Sequence, residues 1–224
     1  MSTLYIVATP IGNLEDVSQR TLRILSEVDL ILCEDTRMTK KLLDYYKIKT
    51  LTLSYHQHSE LKKVEQIMQF LNEGKNLALV SDAGTPGISD PGNKLIAELI
   101  EGGLTSIKIV PVPGASALTT AASVAGFSMD KFIFLGFPPV KKKRKKFFKG
   151  VANSEYSVIF YESPHRIIKS LTELETIDKD LFMVVGRELT KKFETIYRGT
   201  VEKVLEKLKK EEIRGEFVVI VKRK

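Results

Sequence analysis

The chain has 224 residues, 43% of them hydrophobic, which excludes a disordered polypeptide and fits one or two compact domains. Its 35 lysines and arginines outnumber 28 aspartates and glutamates, and the resulting +7 favours a polyanionic partner without requiring one. No apolar run reaches membrane-spanning length, and one cysteine, Cys33 inside an apolar run, allows no disulfide framework and suits a reducing compartment.

The N-terminus leads directly into a strand and lacks the charged and apolar regions of a signal peptide, so the expected location is the cytoplasm. Leu4 to Ala8 reads as the first strand and ends in the turn Thr9-Pro10-Ile11-Gly12-Asn13. Asp16 and Ser18 can cap a helix carrying Leu22, Ile24, Leu25 and Val28. Strand two is Asp29 to Cys33, and Thr36 or Thr39 opens a short helix through Leu42, Leu43 and Tyr46. Leu51 to Leu53 is a short strand. A helix from Ser59 to Leu71 puts Leu61, Val64, Ile67, Met68 and Leu71 on one face. Asn76 to Val80 reads as a buried strand, Asn93 to Ile100 as a helix and Ser106 to Val110 as a strand. The alternation predicts an α/β fold with a mostly parallel sheet covered by helices.

Pro111-Val112-Pro113-Gly114 breaks the pattern and should end that strand. A domain boundary is expected here, with residues 1–112 forming an N-terminal α/β domain and 113–224 a C-terminal one. The second half opens with an alanine-rich helix, Ala115 to Ala125. Strands follow at Phe132 to Leu135, Tyr156 to Tyr161, Leu181 to Val185, Thr195 to Gly199 and Glu216 to Val221. Helices lie at about Lys142 to Ala152, Pro164 to Leu174 and Val201 to Lys210. Fewer intervening helices and longer strands predict a mixed C-terminal sheet.

The loop from Ser81 to Gly92 holds three glycines, two prolines and two aspartates, and it sits between a strand and a helix. The carboxyl end of a strand is where open α/β sheets bind ligands. The loop has neither the Gly-Lys-Ser/Thr of a P-loop nor the glycine spacing of a dinucleotide site. Asp82 and Asp90 would repel phosphate and suit ribose hydroxyls, an amino group or a cation; the plain alternative is a rigid surface turn. Pro10-Ile11-Gly12, Pro113 to Ala117 and Glu162-Ser163-Pro164-His165-Arg166 also each follow a predicted strand. Small residues from Gly114 to Ala117 either admit a ligand close to the backbone or let the helix pack. His165 and Arg166 offer an anion site or an exposed cap. His56 and His58 lack a third ligand, so no metal is expected. Lys141 to Lys149 is a dense cationic run interrupted by Phe147 and Phe148. It is either a solvated face or a contact for phosphates, with the phenylalanines anchoring the helix.

Taken together, these segments resemble the tetrapyrrole methylase superfamily, the class III S-adenosylmethionine-dependent methyltransferases. Within it the chain is similar to the bacterial ribosomal RNA small subunit methyltransferase I family. The resemblance is carried by Leu4 to Leu14, Glu34-Asp35-Thr36-Arg37, the loop from Ser81 to Gly92, Pro113 to Ala117, Phe160 to Arg166 and Arg187 to Lys191. It implies two α/β domains with the cofactor in a cleft between them, a homodimer, and 2′-O-methylation of a cytidine in the decoding region of 16S rRNA within the small ribosomal subunit. The S-adenosylmethionine contacts it implies are Pro10, Ser81, Asp82, Ala83, Gly84, Ser116, Ala117, Tyr161, Glu162, Leu189 and Glu216. Longer members carry a further C-terminal segment. This chain stops after its last strand, so the run from Lys141 is expected to carry more of the RNA contact.

Attack by a ribose 2′-hydroxyl needs help in losing its proton. A lysine with a lowered pKa or a carboxylate would supply it. Lys191 is the first candidate, supported by Glu188 and Glu194, and Asp35 is the second. Glu34, Arg37, His165, Arg166, Lys142, Lys143 and Arg144 are the expected substrate contacts. A porphyrinogen or diphthine methyltransferase would share the fold and cofactor, and a non-catalytic RNA-binding assembly factor would share the fold.

Overall fold

The structure is a computed structural model describing residues 2–55, 61–90, 92–101 and 107–222. His56, His58, Ser59, Pro91 and Ser106 lie outside the described residues. The chain forms two units that meet in sequence between Ser116 and Ala117.

In the first unit five strands form one sheet: β1 (Thr3–Val7), β2 (Leu30–Cys33), β3 (Thr52–Ser54), β4 (Leu77–Val80) and β5 (Lys108–Val112). Their order is β3-β2-β4-β1-β5 and every pairing is parallel. The connections carry α1 (Gln19–Glu27), α2 (Thr36–Tyr45), α3 (Leu61–Asn72) and α4 (Gly92–Glu101). Successive strand residues point to opposite faces, and this sorts the core in two. Val7, Ile31, Cys33, Ala78 and Val80 pack with Ile24 and Leu25 of α1 and Leu42 and Leu43 of α2. Leu4, Leu32, Leu77 and Leu79 pack with Val64, Ile67 and Leu71 of α3 and Leu95 and Leu99 of α4. Burial on both faces is why β4 reads as an unbroken apolar run.

This sorting fixes where a ligand can bind. β1 and β4 are neighbours, yet β1 leads to α1 on one face and β4 to α4 on the other. Their following loops therefore part at the carboxyl edge, which is a topological switch point.

Two local expectations change. β5 runs on through Pro111, which stands opposite Ile6. An edge strand has one unpaired side, where a missing N–H costs no ladder bond. The cap of α2 is Asp35 rather than Thr36 or Thr39: its carboxylate accepts from the Arg37 N–H. Ser18 caps α1 by accepting from the Thr21 N–H, while Asp16 closes a short 3-10 turn, Leu14–Asp16.

The second unit contains α5 (Ala117–Ser123), β6 (Phe132–Phe134), α6 (Arg144–Ala152), β7 (Ser157–Glu162), α7 (Ile167–Glu175), β8 (Phe182–Arg187), β9 (Thr195–Thr200), α8 (Val201–Lys209) and β10 (Phe217–Val221). The sheet order is β6-β7-β10-β8-β9; β6 and β7 are parallel and the other pairs antiparallel. Phe148 of α6, Leu171 and Leu174 of α7, and Val204 and Leu208 of α8 share a core with Phe160, Met183, Val185 and Val219. Helix α6 starts at Arg144, two residues later than the expected Lys142. Lys143 precedes it in the left-handed region, at φ 65°.

Candidate active site

At the switch point the loops after β1 and β4 are tied together. Thr9 and Gly84 exchange backbone hydrogen bonds of 2.9 and 3.0 Å, and the Thr9 hydroxyl donates to the Ser81 carbonyl at 3.3 Å. Gly84 has φ +81°, and a Cβ there would sit 3.3 Å from Ile11 Cγ2. The loop after β5 joins them: the Thr85 hydroxyl donates to the Ala115 carbonyl at 3.3 Å, and a Cβ on Gly114 would lie 2.9 Å from Ala8 Cβ. Only small residues allow three loops to close up in this way. Ser81 and Gly84 are buried, whereas Asp82 and Ala83 are exposed and Pro10 is half-buried. At the other end of the loop, Asp90 accepts from the Gly87 and Gly92 N–H groups at 2.6 and 2.8 Å, so it sets the start of α4.

The loop after β2 also reaches this crevice. The Asp35 N–H donates to Asp82 Oδ1 at 3.0 Å. Glu34, Tyr55, Ser81, Pro86 and Asp90 line one small cavity beside it. Burial, with the charge of Glu98, pushes the Tyr55 hydroxyl up to about 12. Asp35 forms an ion pair with Arg37 at 2.7 Å, and that guanidinium and the Arg37 N–H hold its carboxyl at about 2. So low a value reflects a carboxylate already engaged with Arg37, which weakens it as a proton acceptor. Arg37 is exposed but engaged with Asp35.

In the second unit, the geometry around Lys191 also departs from expectation. Its ammonium lies 2.8 Å from Glu188 Oε1 and 2.9 Å from Glu216 Oε2. Burial works to lower its pKa, but the hydrogen bonds and charge of the two carboxylates win and raise it. The expected lysine with a lowered pKa is instead a fixed cation. Burial acts to raise the Glu188 carboxyl, yet hydrogen bonds from Lys191 and the Glu216 N–H hold it below its usual range. The backbone here is unusual: Glu188 and Thr190 have φ of 52° and 67°, and a Cβ on Gly215 (φ +85°) would overlap the Glu188 side chain. Non-glycine residues in this region are costly and persist where surrounding bonds over-determine them. Those bonds include Glu188 N–H to Glu216 O at 3.0 Å and Thr190 N–H to Glu194 at 2.6 Å. Leu189 is buried over Gly186.

Two expected substrate-binding arginines turn inward. Arg144 is 5% exposed and forms an ion pair with Glu173 at 3.0 Å. Arg166 pairs at 2.8 Å with Glu162, whose side chain is fully buried. Arg144 is therefore not part of the exposed cationic face, and the Glu162 carboxylate is closed to a cofactor. Tyr161, the neighbouring expected contact, is half-buried, and burial raises its hydroxyl. Ser116 and Ala117 stand at the junction of the two units, at the start of α5. His165 is exposed, as are Lys141, Lys142, Lys143, Lys145, Lys146 and Lys149. Phe148 is buried and Phe147 stands edge-on to it at 5.2 Å, so these rings anchor α6 as expected. No acidic residue occupies the first turn of α6. Lysines there oppose the helix dipole, so the exposed lysines of the run gain nothing from it. Sequence reasoning missed Ser170 and Glu173, although Ser170 stands in the apolar stripe of Ile167, Leu171 and Leu174.

A parallel sheet with a crevice at its switch point, followed by a mixed sheet, is an architecture shared with a class of methyltransferases. The family model described as Tetrapyrrole (Corrin/Porphyrin) Methylases matches residues 3–205. Among solved structures, the cobalt precorrin-4 methyltransferase CbiF aligns with a TM-score of 0.72 at 21% identity, covering 99% of this chain and 94% of that one. A Thermus thermophilus uroporphyrin-III C-methyl transferase complexed with S-adenyl homocysteine aligns with a TM-score of 0.66 at 15% identity, covering 98% and 97%. Nearer in sequence are proteins named Ribosomal RNA small subunit methyltransferase I. The Bacillus subtilis protein is 44% identical, covering 99% of this chain and 75% of its own length. The Thermotoga maritima protein is 43% identical, covering 99% and 98%. The chain belongs to the tetrapyrrole methylase family and, within it, to the ribosomal RNA small subunit methyltransferase I family of methyltransferases.

Proposed function

We propose that the chain transfers a methyl group from S-adenosylmethionine to a cytidine ribose 2′-oxygen in the decoding region of 16S rRNA, within the small ribosomal subunit. What carries this reading is a pinned, carboxylate-flanked crevice on a chain 42–45% identical to relatives named for rRNA methylation. The compartment that goes with it is the cytoplasm.

The crevice fits the methyl donor by its chemistry. Gly84 and Gly114 let the loops after β1, β4 and β5 close against one another to form the crevice wall, and Asp82 suits an amino group or ribose hydroxyls rather than a phosphate. Pro10, Ser81, Asp82, Ala83 and Gly84 would hold it, mostly through backbone. S-adenosylmethionine, when bound, supplies a methyl group already activated by its sulfonium. The protein's task is then alignment and charge.

Lys191 has three donors, and Glu188 and Glu216 use two. The third is what a ribose oxygen needs as it passes its proton to solvent water and gains negative charge. Lys191 thus acts as a fixed ammonium that stabilises the oxygen, and Glu188 holds it in place. Exposed lysines from Lys141 to Lys149 supply phosphate contacts without sequence information. Exposed Phe132 and Ile133 on edge strand β6, with Leu135 and Phe137 beyond it, support a homodimer, because an apolar edge is otherwise a liability.

The test is transfer of labelled methyl from S-adenosylmethionine to small subunits lacking the modification, with mass spectrometry of 16S rRNA fragments. The expected product is a single cytidine methylated on its ribose. Methylation of a free tetrapyrrole or a protein substrate instead, or cofactor binding without transfer, would overturn the proposal.

A further inference from the structure

The two inward-turned arginines converge on one short segment. Arg144 Nη1 donates to the Pro139 carbonyl at 3.1 Å, and Arg166 Nη1 donates to the Pro138 carbonyl at 3.1 Å. Prolines have no N–H, so these carbonyls are the handles the segment offers. Behind them the arginines are joined: Arg144 Nη2 donates to the Ser170 hydroxyl at 2.7 Å, and that hydroxyl donates to Glu162, which pairs with Arg166. Glu173 closes the chain on Arg144 Nε. The centre of this network, Glu162, Ser170 and Arg144, is buried, and there an alternative arrangement would strand a charge, so one geometry is strongly preferred.

Resting on the reading of the lysine run as an rRNA contact, we propose that Arg144 and Arg166 are positioning residues. They clamp the Pro-Pro segment so that Lys141, Lys142 and Lys143 are already ordered for phosphate. The segment enters from Gly136, whose carbonyl accepts from the Tyr161 N–H at 2.9 Å. It leaves through Lys143 at φ 65°, a conformation that lysine adopts only when its neighbours impose it. Three adjacent like charges would otherwise spread apart, and ordering them on binding would cost affinity. Both arginines are thus spent on geometry, and the lysines meet the ligand.

The test measures small-subunit affinity against salt for wild type, Lys141→Ala/Lys142→Ala/Lys143→Ala, Arg144→Met, and the two combined. The lysine variant should bind about tenfold more weakly, and its log–log salt slope should shrink by roughly 0.7–0.9 for each phosphate it no longer neutralises. Arg144→Met should reproduce much of both effects, and the combined variant should add little to the lysine variant. The KM for subunits should rise while kcat at saturation holds. If Arg144→Met does not fold, Pro138→Gly/Pro139→Gly keeps every buried charge paired and loosens only the segment, and should give the same reduced slope. An unchanged slope in the clamp variants, or effects that simply add to those of the lysine variant, would sink the positioning role. An unchanged affinity in the lysine variant itself would sink the reading of the run.

Discussion

Thr9 and Gly84 exchange both backbone hydrogen bonds, at 2.9 and 3.0 Å, and so bind the loop after β1 to the loop after β4 at the point where their chains diverge. The crevice wall is thus pinned by backbone, and its shape depends in part on Gly84, which tolerates φ +81°.

Gly84→Ala should therefore weaken cofactor binding by about tenfold or more, with a left-handed backbone cost of about 1–2 kcal/mol. Gly74→Ala is the control: φ is +88° and nothing lies within 4 Å of the added carbon. It should lower the melting temperature to a similar extent and leave cofactor affinity alone. Calorimetric titration with S-adenosylmethionine and thermal melts of both variants separate strain from binding. Equal affinity in the two variants would remove Gly84 from the crevice wall.

Removing Lys191 should slow transfer sharply without releasing the cofactor. Lys191→Ala is expected to lower kcat by about 10²–10³, the scale for losing one donor to a developing oxyanion. Gly215→Ala, 24 positions further along the sequence, should produce a related loss by displacing Glu188 from Lys191. Single-turnover rates with saturating cofactor measure both, and near-normal rates in Lys191→Ala would remove it from the mechanism.

The pH profile distinguishes a fixed ammonium from a base. A lysine raised above 10.5 keeps its stabilising proton until pH climbs through the folded value. A glutamate held below 4.5 keeps its charge until pH falls through its own folded value. The pair is thus intact across the neutral range, and kcat should show no inflection from it between about pH 6 and 9. A rate that rises with pH across that window, and loses the inflection in Lys191→Ala, would restore Lys191 as the base.

Much of this architecture is readable in the chain itself. Strand-then-loop placement locates the Thr9, Ser81 and Gly114 loops, and the apolar runs give a parallel sheet followed by a mixed one. The misses have physical reasons. Arg144 looks like part of the cationic run when charge is read along the chain. Read at helical spacing, it shares a stripe with Phe148, Val151 and Ala152, which is the buried face of α6. A lowered pKa is expected of Lys191 because its partner Glu216 is 25 residues away and only the strand pairing of β8 with β10 brings them together. Pro111 looks like a terminator because edge position is a property of the sheet, not of the segment.

Arg166 gives the sharpest stability prediction. It neutralises the Glu162 carboxylate, which is fully buried and also accepts from the Ser163 N–H at 2.9 Å. Arg166→Ala leaves that charge without its cation and should cost about 3 kcal/mol, because a stranded buried charge is worse than none. Glu162→Leu together with Arg166→Met removes both charges at similar volume and should recover most of the loss. Urea unfolding followed by tyrosine fluorescence measures this. The first unit unfolds as a separate body if the transitions of the two units differ, so the shift should appear in one transition only. A double variant no more stable than Arg166→Ala would mean that the pair, and not the stranded carboxylate, carries the energy.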